Sequence, residues 1–598
     1  MQVFVTGQAL SVNADENSTI AYSDGWIRLL HYRTRWFGSY KSKVTGSHFF
    51  LAKDGRTNPE AELASDLAAA RVPKGDFICH FPARYRFLKK HFEVAEPVTS
   101  CPAFEHWMRP FHADGVSIVY SSPYFSNPSS AMGHSLLRFS STGRKRLADI
   151  ALGYAAEVPP HVNGLSYIYN GLLGGFRGSV FVDPYYGKVH EYNIIDNRDL
   201  WEYRLNFSPE EVTFLLEHIW EFDDNAEQYY YFLDENCSLL VLDLLNAVRP
   251  EKDLDQGLYL YVLPIQTVRI LDRVGWISNF EFFPSQRRIL WADIQSLSPL
   301  QRLEFDQGVL APDAKLLNTT IDYLEFKKLE NYYRLSDEDQ MSYRNTLVAR
   351  AKLTASLEQD NAIVETPPPA HLGNDPHHVG IDGGASTGGG FTDLTLYPGV
   401  HEAIDPDNGY VPLSEVSILA TKLRYYADRH SIVPESIRLI DIASRVPYIS
   451  YDPLRSWRAS LELNSRESEG CYSCVRGSLN LSYGAGTFLF TKKLYGYVMG
   501  ASTVENGMGS GPVARLLLGP EAGALLTVGD RLKVVSYFRD QWTTIPIGLP
   551  LSRATANLDA GYLATPWCEI ATQMRWILTS FGNTYNWGEA SLGAKLFF

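Results

Sequence analysis

At 598 residues the chain exceeds what one hydrophobic core supports, so roughly two to four domains are expected. A formal charge of −14, with only 20% charged residues, excludes a nucleic-acid binder, because no basic surplus exists to displace phosphate counterions. Six cysteines are too few for a disulfide scaffold; Cys79/Cys101 and Cys471/Cys474 are plausible pairs in an oxidising compartment.

The N-terminal stretch MQVFVTGQALSVNADENST has neither a basic start nor a continuous apolar run, so no secretory leader is visible, and export implies one removed from this numbering. No stretch reaches ~18 apolar residues, and no transmembrane helix is expected. Residues 1–110 read as a helical domain: WIRLLHY and EAELASDLAAAR follow the helical period, with Asn58-Pro59 as a start signal for the second. Residues 111–290 switch to short β-rich runs, VSIVYSS, HSLLRFSS and LADIALGY, before helix returns at SPEEVTFLLEHIWEF, where Ser208 and Glu211 have capping-box spacing. Residues 291–376 form a helical connector ending in PPPAHLGNDPHH, whose prolines fit neither a helix nor a central strand, so a boundary is placed near Pro367 to Pro376.

Residues 377–598 obey another rule. Trp457, Ala459, Leu461 and Leu463 alternate with Arg458, Ser460, Glu462 and Asn464; Val475, Leu479, Leu481 and Tyr483 oppose Arg476, Ser478, Asn480 and Ser482. In the last segment Leu592, Ala594, Leu596 and Phe598 face away from Ser591, Lys595 and Phe597. About a dozen such segments of roughly 10 residues predict an antiparallel transmembrane β-barrel of about 12 strands. A soluble β-sandwich also alternates, but strand length, aromatics near strand ends and Phe598 within an alternating strand favour the membrane. The fold class expected is therefore α+β multidomain with a C-terminal barrel.

The residues with chemical promise begin at Cys237 in YYYFLDENCS, directly before LLVLDLLNAV. In the first turn of a helix, free N–H groups and the dipole lower a thiol pKa, and the residue's own N–H can meet an oxyanion. Such a thiol needs an imidazole, and His134, opening a β-run after the small-residue loop PSSAMG, is the candidate. NGLLGGFRGS lacks the Lys-Ser/Thr ending of a phosphate loop; its glycines are read as serving a tight turn beside the cleft, with Arg177 a candidate for an anionic headgroup or carboxylate. NRDLWEYRLNFSPEE is read as a structural clamp, with Asn197, Arg198 and Asp199 satisfying backbone groups. Cys471-Tyr-Ser-Cys474 is read as a loop disulfide, and the absence of HExxH, paired CxxC and EF-hand patterns means neither a metal nor a cofactor is expected.

The segments NPSSAMGHSLLRF, NGLLGGFRG, PYYGKVHEYN, NRDLWEY and YYFLDENCSLLVLDLL, spanning Val116 to Pro250, resemble the Lnb N-terminal periplasmic domain family, named for a bacterial lipoprotein N-acyltransferase. The resemblance implies a circularly permuted papain-like fold of the NlpC and lecithin:retinol acyltransferase type, with Cys237 as nucleophile, preceded by Asn236, and His134 as base. Relatives often carry Asn where Gly153 stands; here Tyr154, Asn127 or a water is left to orient the imidazole. Ser130 and Asn127 join Arg177 as substrate-side candidates. The expectation is an enzyme of the bacterial outer membrane with its catalytic domain in the periplasm, a cysteine acyltransferase or thioester-forming hydrolase acting on phospholipid or lipoprotein. The alternatives are a peptidoglycan amidase of the same fold, or a non-catalytic transport or assembly barrel with a periplasmic interaction module.

Overall fold

The computed structural model describes residues 17–598 except 35–37, 47, 99, 124–131, 233–235, 255–261, 332, 354–361, 467–470, 508–513, 546–550 and 582. Two compact units divide the chain, Met1–Thr366 and Pro367–Phe598.

The first unit is built on a seven-stranded antiparallel sheet of β1 (Gly115–Ser121), β2 (His134–Ser140), β3 (Ile150–Glu157), β4 (Phe176–Pro184), β5 (Leu200–Leu205), β6 (Tyr229–Tyr230) and β7 (Ile277–Phe283), in the order β6-β4-β3-β2-β1-β5-β7. The central strand β1, GVSIVYS, is buried at every position, as a strand covered on both faces must be. Among the helices are α1 (Pro59–Ala70), α2 (Pro82–His91), α3 (Gly164–Leu173), α4 (Pro209–Asn225), α5 (Cys237–Val248) and α6 (Pro264–Arg273). Helix α5 is a run of strong helix formers buried from Cys237 through Ala247, and it packs on α4, β2 and β3. Its first turn therefore faces the start of β2.

Residues 1–110, 111–290 and most of 291–376 share this one unit, and the N-terminal helices are fastened to the sheet region by a buried cation. Arg84 on α2 is 0% exposed; its Nη1 lies 3.3 Å from both Glu62 and Asp66 on α1, and Glu221 on α4 accepts its backbone N–H at 2.7 Å. Phe49 and Phe81 cover the guanidinium at 4.3 and 4.4 Å. Cys79 and Cys101 form a disulfide.

The second unit is a closed barrel of twelve antiparallel strands: β8 (His378–Ser386), β9 (Gly389–Tyr397), β10 (Ser414–Tyr426), β11 (Ser431–Ser444), β12 (Ser456–Arg466), β13 (Cys471–Phe488), β14 (Leu494–Gly507), β15 (Ala514–Val528), β16 (Leu532–Ile545), β17 (Ser552–Thr565), β18 (Cys568–Phe581) and β19 (Asn583–Phe597). Phe391↔Tyr426 starts the β9–β10 pairing and His378↔Phe597 the β8–β19 pairing that complete the ring. Burial decides between barrel and sandwich. Leu479, Leu481 and Tyr483 are 41, 48 and 64% exposed, whereas Ser478, Asn480 and Ser482 between them are buried. A sandwich hides its apolar face; here that face points outward and the polar one inward, the arrangement of a barrel in lipid. Inward charges are paired, as in Arg424 with Asp393 at 2.8 Å and Arg458 with Asp441 at 2.6 Å. The Cys471 to Cys474 stretch, expected in a loop, opens β13 instead, and Cys474 is disulfide-bonded.

Candidate active site

Asn236 shapes the start of α5. Its Oδ1 accepts the N–H groups of Ser238 and Leu239 at 3.0 and 3.2 Å, and its Nδ2 donates to the carbonyls of Phe232 and Val262 at 3.3 and 2.8 Å. With its amide occupied in this way, Asn236 serves as a cap and tether, holding Cys237 in the first helical turn. Cys237 is 3% exposed, and its sulfur lies 3.8 Å from the Ser238 hydroxyl.

His134 is delivered by the end of a loop. Gly133 has φ +89°, and a Cβ there would sit 2.9 Å from both the Ser121 carbonyl oxygen and the Tyr120 ring, so only glycine lets the chain enter β2 this close to β1. In register opposite Ser121, His134 stands close enough to Cys237 for its imidazole to favour the thiolate. Burial alone would push the thiol up; attraction to His134 and hydrogen bonds from the imidazole, the Ser135 N–H and the Ser238 hydroxyl overcome it and hold the thiol at about 7, against an ordinary 9.0. The imidazole Nε2 is buried without a hydrogen-bond partner among the described residues.

Around this pair stand two residues that the sequence did not single out, Tyr230 and Tyr192, and one that it did, Arg198. Tyr230 is buried beside Cys237, and burial followed by the nearby thiol drives its pKa well above the usual phenol range. Tyr192 packs against His134 with ring centroids 5.8 Å apart. Behind it the buried Arg198 binds the carbonyls of Ser122 and Ser121 at 2.7 and 3.3 Å, the clamp its segment suggested, fixing the end of β1 beside which His134 lies.

The other candidates lie elsewhere or outside the described residues. Tyr154 is buried against Tyr230 and Phe222, with ring centroids 5.4 and 6.4 Å apart. Gly153 lies under Phe181, whose ring would stand 2.3 Å from any Cβ, so the space an asparagine would need is filled. Arg177 is exposed on β4 and lies 3.6 Å from Glu227. The glycines after α3 end that helix, Gly174 taking the left-handed C-cap conformation at φ +73°. Asn127 and Ser130 fall outside the described residues. Among the described residues no cluster of His, Cys, Asp and Glu is arranged to hold a metal ion.

The histidine strand and the cysteine helix both lie inside a segment with a known family. Residues 103–274 match the Lnb N-terminal periplasmic domain. The Lnb-type segment is flanked by two matches to domains of unknown function, DUF7843 over residues 18–91 and DUF7840 over residues 367–577. No curated protein matches the chain. Among solved structures the KdgM porin in complex with disordered oligogalacturonate is 9% identical over 37% of this chain and 99% of its own, with a TM-score of 0.22. The NanC porin (7% identity, 36 and 98% coverage, TM-score 0.22) and an outer membrane channel from Pseudomonas putida F1 (12%, 39 and 97%, 0.23) are similarly distant. The barrel itself is established by strand register and inverted burial. Joined to an Lnb-type periplasmic domain, it makes the chain an outer-membrane protein with an N-terminal periplasmic domain.

Proposed function

We propose that the chain is an outer-membrane-anchored cysteine acyltransferase that works through a thioester, its Lnb-type segment being a permuted papain-like domain. The observation that carries this reading is a buried thiol held at about 7 by an imidazole from the adjacent strand. A structural cysteine in a core has no use for such a partner.

The Cys237 thiolate attacks the carbonyl carbon of a lipid ester, forming a C–S bond while the carbonyl electron pair moves to oxygen. That oxygen is placed at the start of α5, where the Cys237 N–H in the first helical turn is its donor. When the intermediate collapses the ester C–O bond breaks, and the His134 imidazolium gives its proton to the departing alkoxide. An amine then attacks the thioester, His134 takes its proton, and the C–S bond breaks to return the thiolate. Water in place of the amine gives hydrolysis. Anchoring in a bilayer supports a lipid donor by concentrating it near the domain.

The test is intact-mass analysis of the full chain in phospholipid proteoliposomes, wild type beside Cys237→Ser. A fatty-acyl increment on the wild type alone is expected. An increment that survives the substitution, or none on the wild type, sinks the reading. A peptide adduct on Cys237 after exposure to muropeptides, without an acyl adduct, would assign the same dyad to peptidoglycan amide cleavage.

A further inference from the structure

Between β9 and β10 the chain does not make a short turn. After the strand Gly399–His401, residues Glu402 to Leu413 fold inward, and His401, Glu402, Ala403, Ile404 and Asp405 are all buried. Ala403 and Ile404 form an apolar cluster with Tyr497 and Met499 on β14, Leu525 on β15 and Val535 on β16, with Leu413 packed against it. A greasy core inside a barrel is unusual, because inward positions of a large barrel face water and are polar.

The charges around this cluster are arranged to hold the segment. Lys595 on β19 reaches Glu402 at 2.7 Å and Asp405 at 2.8 Å. Lys533 on β16 reaches the Asp405 carbonyl at 2.6 Å and the Asp407 carboxylate at 2.7 Å, and Arg438 on β11 reaches Glu402 at 2.7 Å. On β17 Gly561 has no side chain, and a Cβ there would lie 3.0 Å from the Ile404 carbonyl. β11 and β17 stand six strands apart in a ring of twelve, so a segment that touches both crosses the bore. Deeper in the lumen lies a cavity of about 240 Å³ lined by paired charges such as Arg424, Glu435, Arg575 and Glu589, room for several waters.

We propose that Glu402–Leu413 is a plug that seals the lumen at the end where the chain enters it, and that the barrel is an anchor rather than a solute conduit. This is independent of the chemistry assigned to Cys237. The full chain is reconstituted into planar bilayers beside two variants: one with residues 402–412 replaced by a Gly-Ser stretch of equal length, and the pair Lys533→Met with Lys595→Met. Heat-modifiable gel mobility checks that each barrel is folded. The wild type is expected to give no unitary conductance steps, the plug replacement to conduct, and the lysine pair to open intermittently. Steps from the wild type overturn the proposal, as does silence from a folded plug replacement. If the replacement does not fold, the lysine pair decides: openings support the plug, silence refutes it.

Discussion

Replacing His134 by alanine tests the electrostatic core of the site. The Cys237 thiol at about 7 is, at neutral pH, roughly half anionic, a preference for the anion of about 2.7 kcal/mol relative to the ordinary 9.0. Removing the imidazole deletes the largest lowering influence and leaves burial opposed only by the Ser135 and Ser238 hydrogen bonds, so the pKa rises toward the ordinary 9.0. A full return to 9.0 would cut the anionic fraction at pH 7 to about 1%, a loss of up to roughly fifty-fold. Iodoacetamide labelling of Cys237, followed by peptide mass between pH 5.5 and 9.5, reads this directly. Because only the anion reacts, the wild-type rate should rise with pH and level off above about 7, whereas the variant should still be climbing at 9. Cys237 is 3% exposed in the wild type, so slow access scales the absolute rates and leaves the pH midpoint as the measure. Equal midpoints for the two proteins would show that His134 does not ionise the thiol.

Three further substitutions probe the frame. Asn236→Ala strips the cap from two N–H groups of α5 and frees the Val262 tether; a loss of about 1–2 kcal/mol in denaturant unfolding of the N-terminal unit is expected, with a higher pH midpoint for Cys237 labelling. Gly153→Asn drives its side chain into Phe181 and should destabilise by about 1–3 kcal/mol, while the double variant with Phe181→Ala should recover most of that; no recovery would mean that the ring is not the obstacle. Arg84→Ala leaves Glu62, Asp66 and Glu221 buried without their cation, a cost of about 3–5 kcal/mol that limited proteolysis should show as release of the N-terminal helices.

The barrel was legible because its rule is strict: every second residue in Leu479–Tyr483 is apolar, and a period of two cannot be mistaken for a helix. The plug was not, since HEAIDPDNGYVPL has no period and nothing local tells whether a connection folds inward. Cys237 and His134 could be picked from their local settings, a helix start and a strand start. Tyr230 could not: it is the middle of three tyrosines, on a strand of two residues, and only the pairing of Phe176 with Tyr230 fixes which ring turns toward the sulfur. Asn236 shows the opposite difficulty. Its type suits both catalysis and capping, and only the partners of its amide show that capping uses it. Gly153 is visible in the sequence as a departure from the resembled family, but the ring that fills its place is contributed by another strand.

The seam between β8 and β19 governs how such a cylinder can be made. Each intermediate sheet, from two strands to eleven, keeps a naked edge at either side, and hydrocarbon offers those amides no water. Insertion strand by strand is therefore uphill until the last ribbon meets the first, which makes assembly an all-or-nothing event requiring an edge-covering helper or a pre-curled sheet at the water boundary.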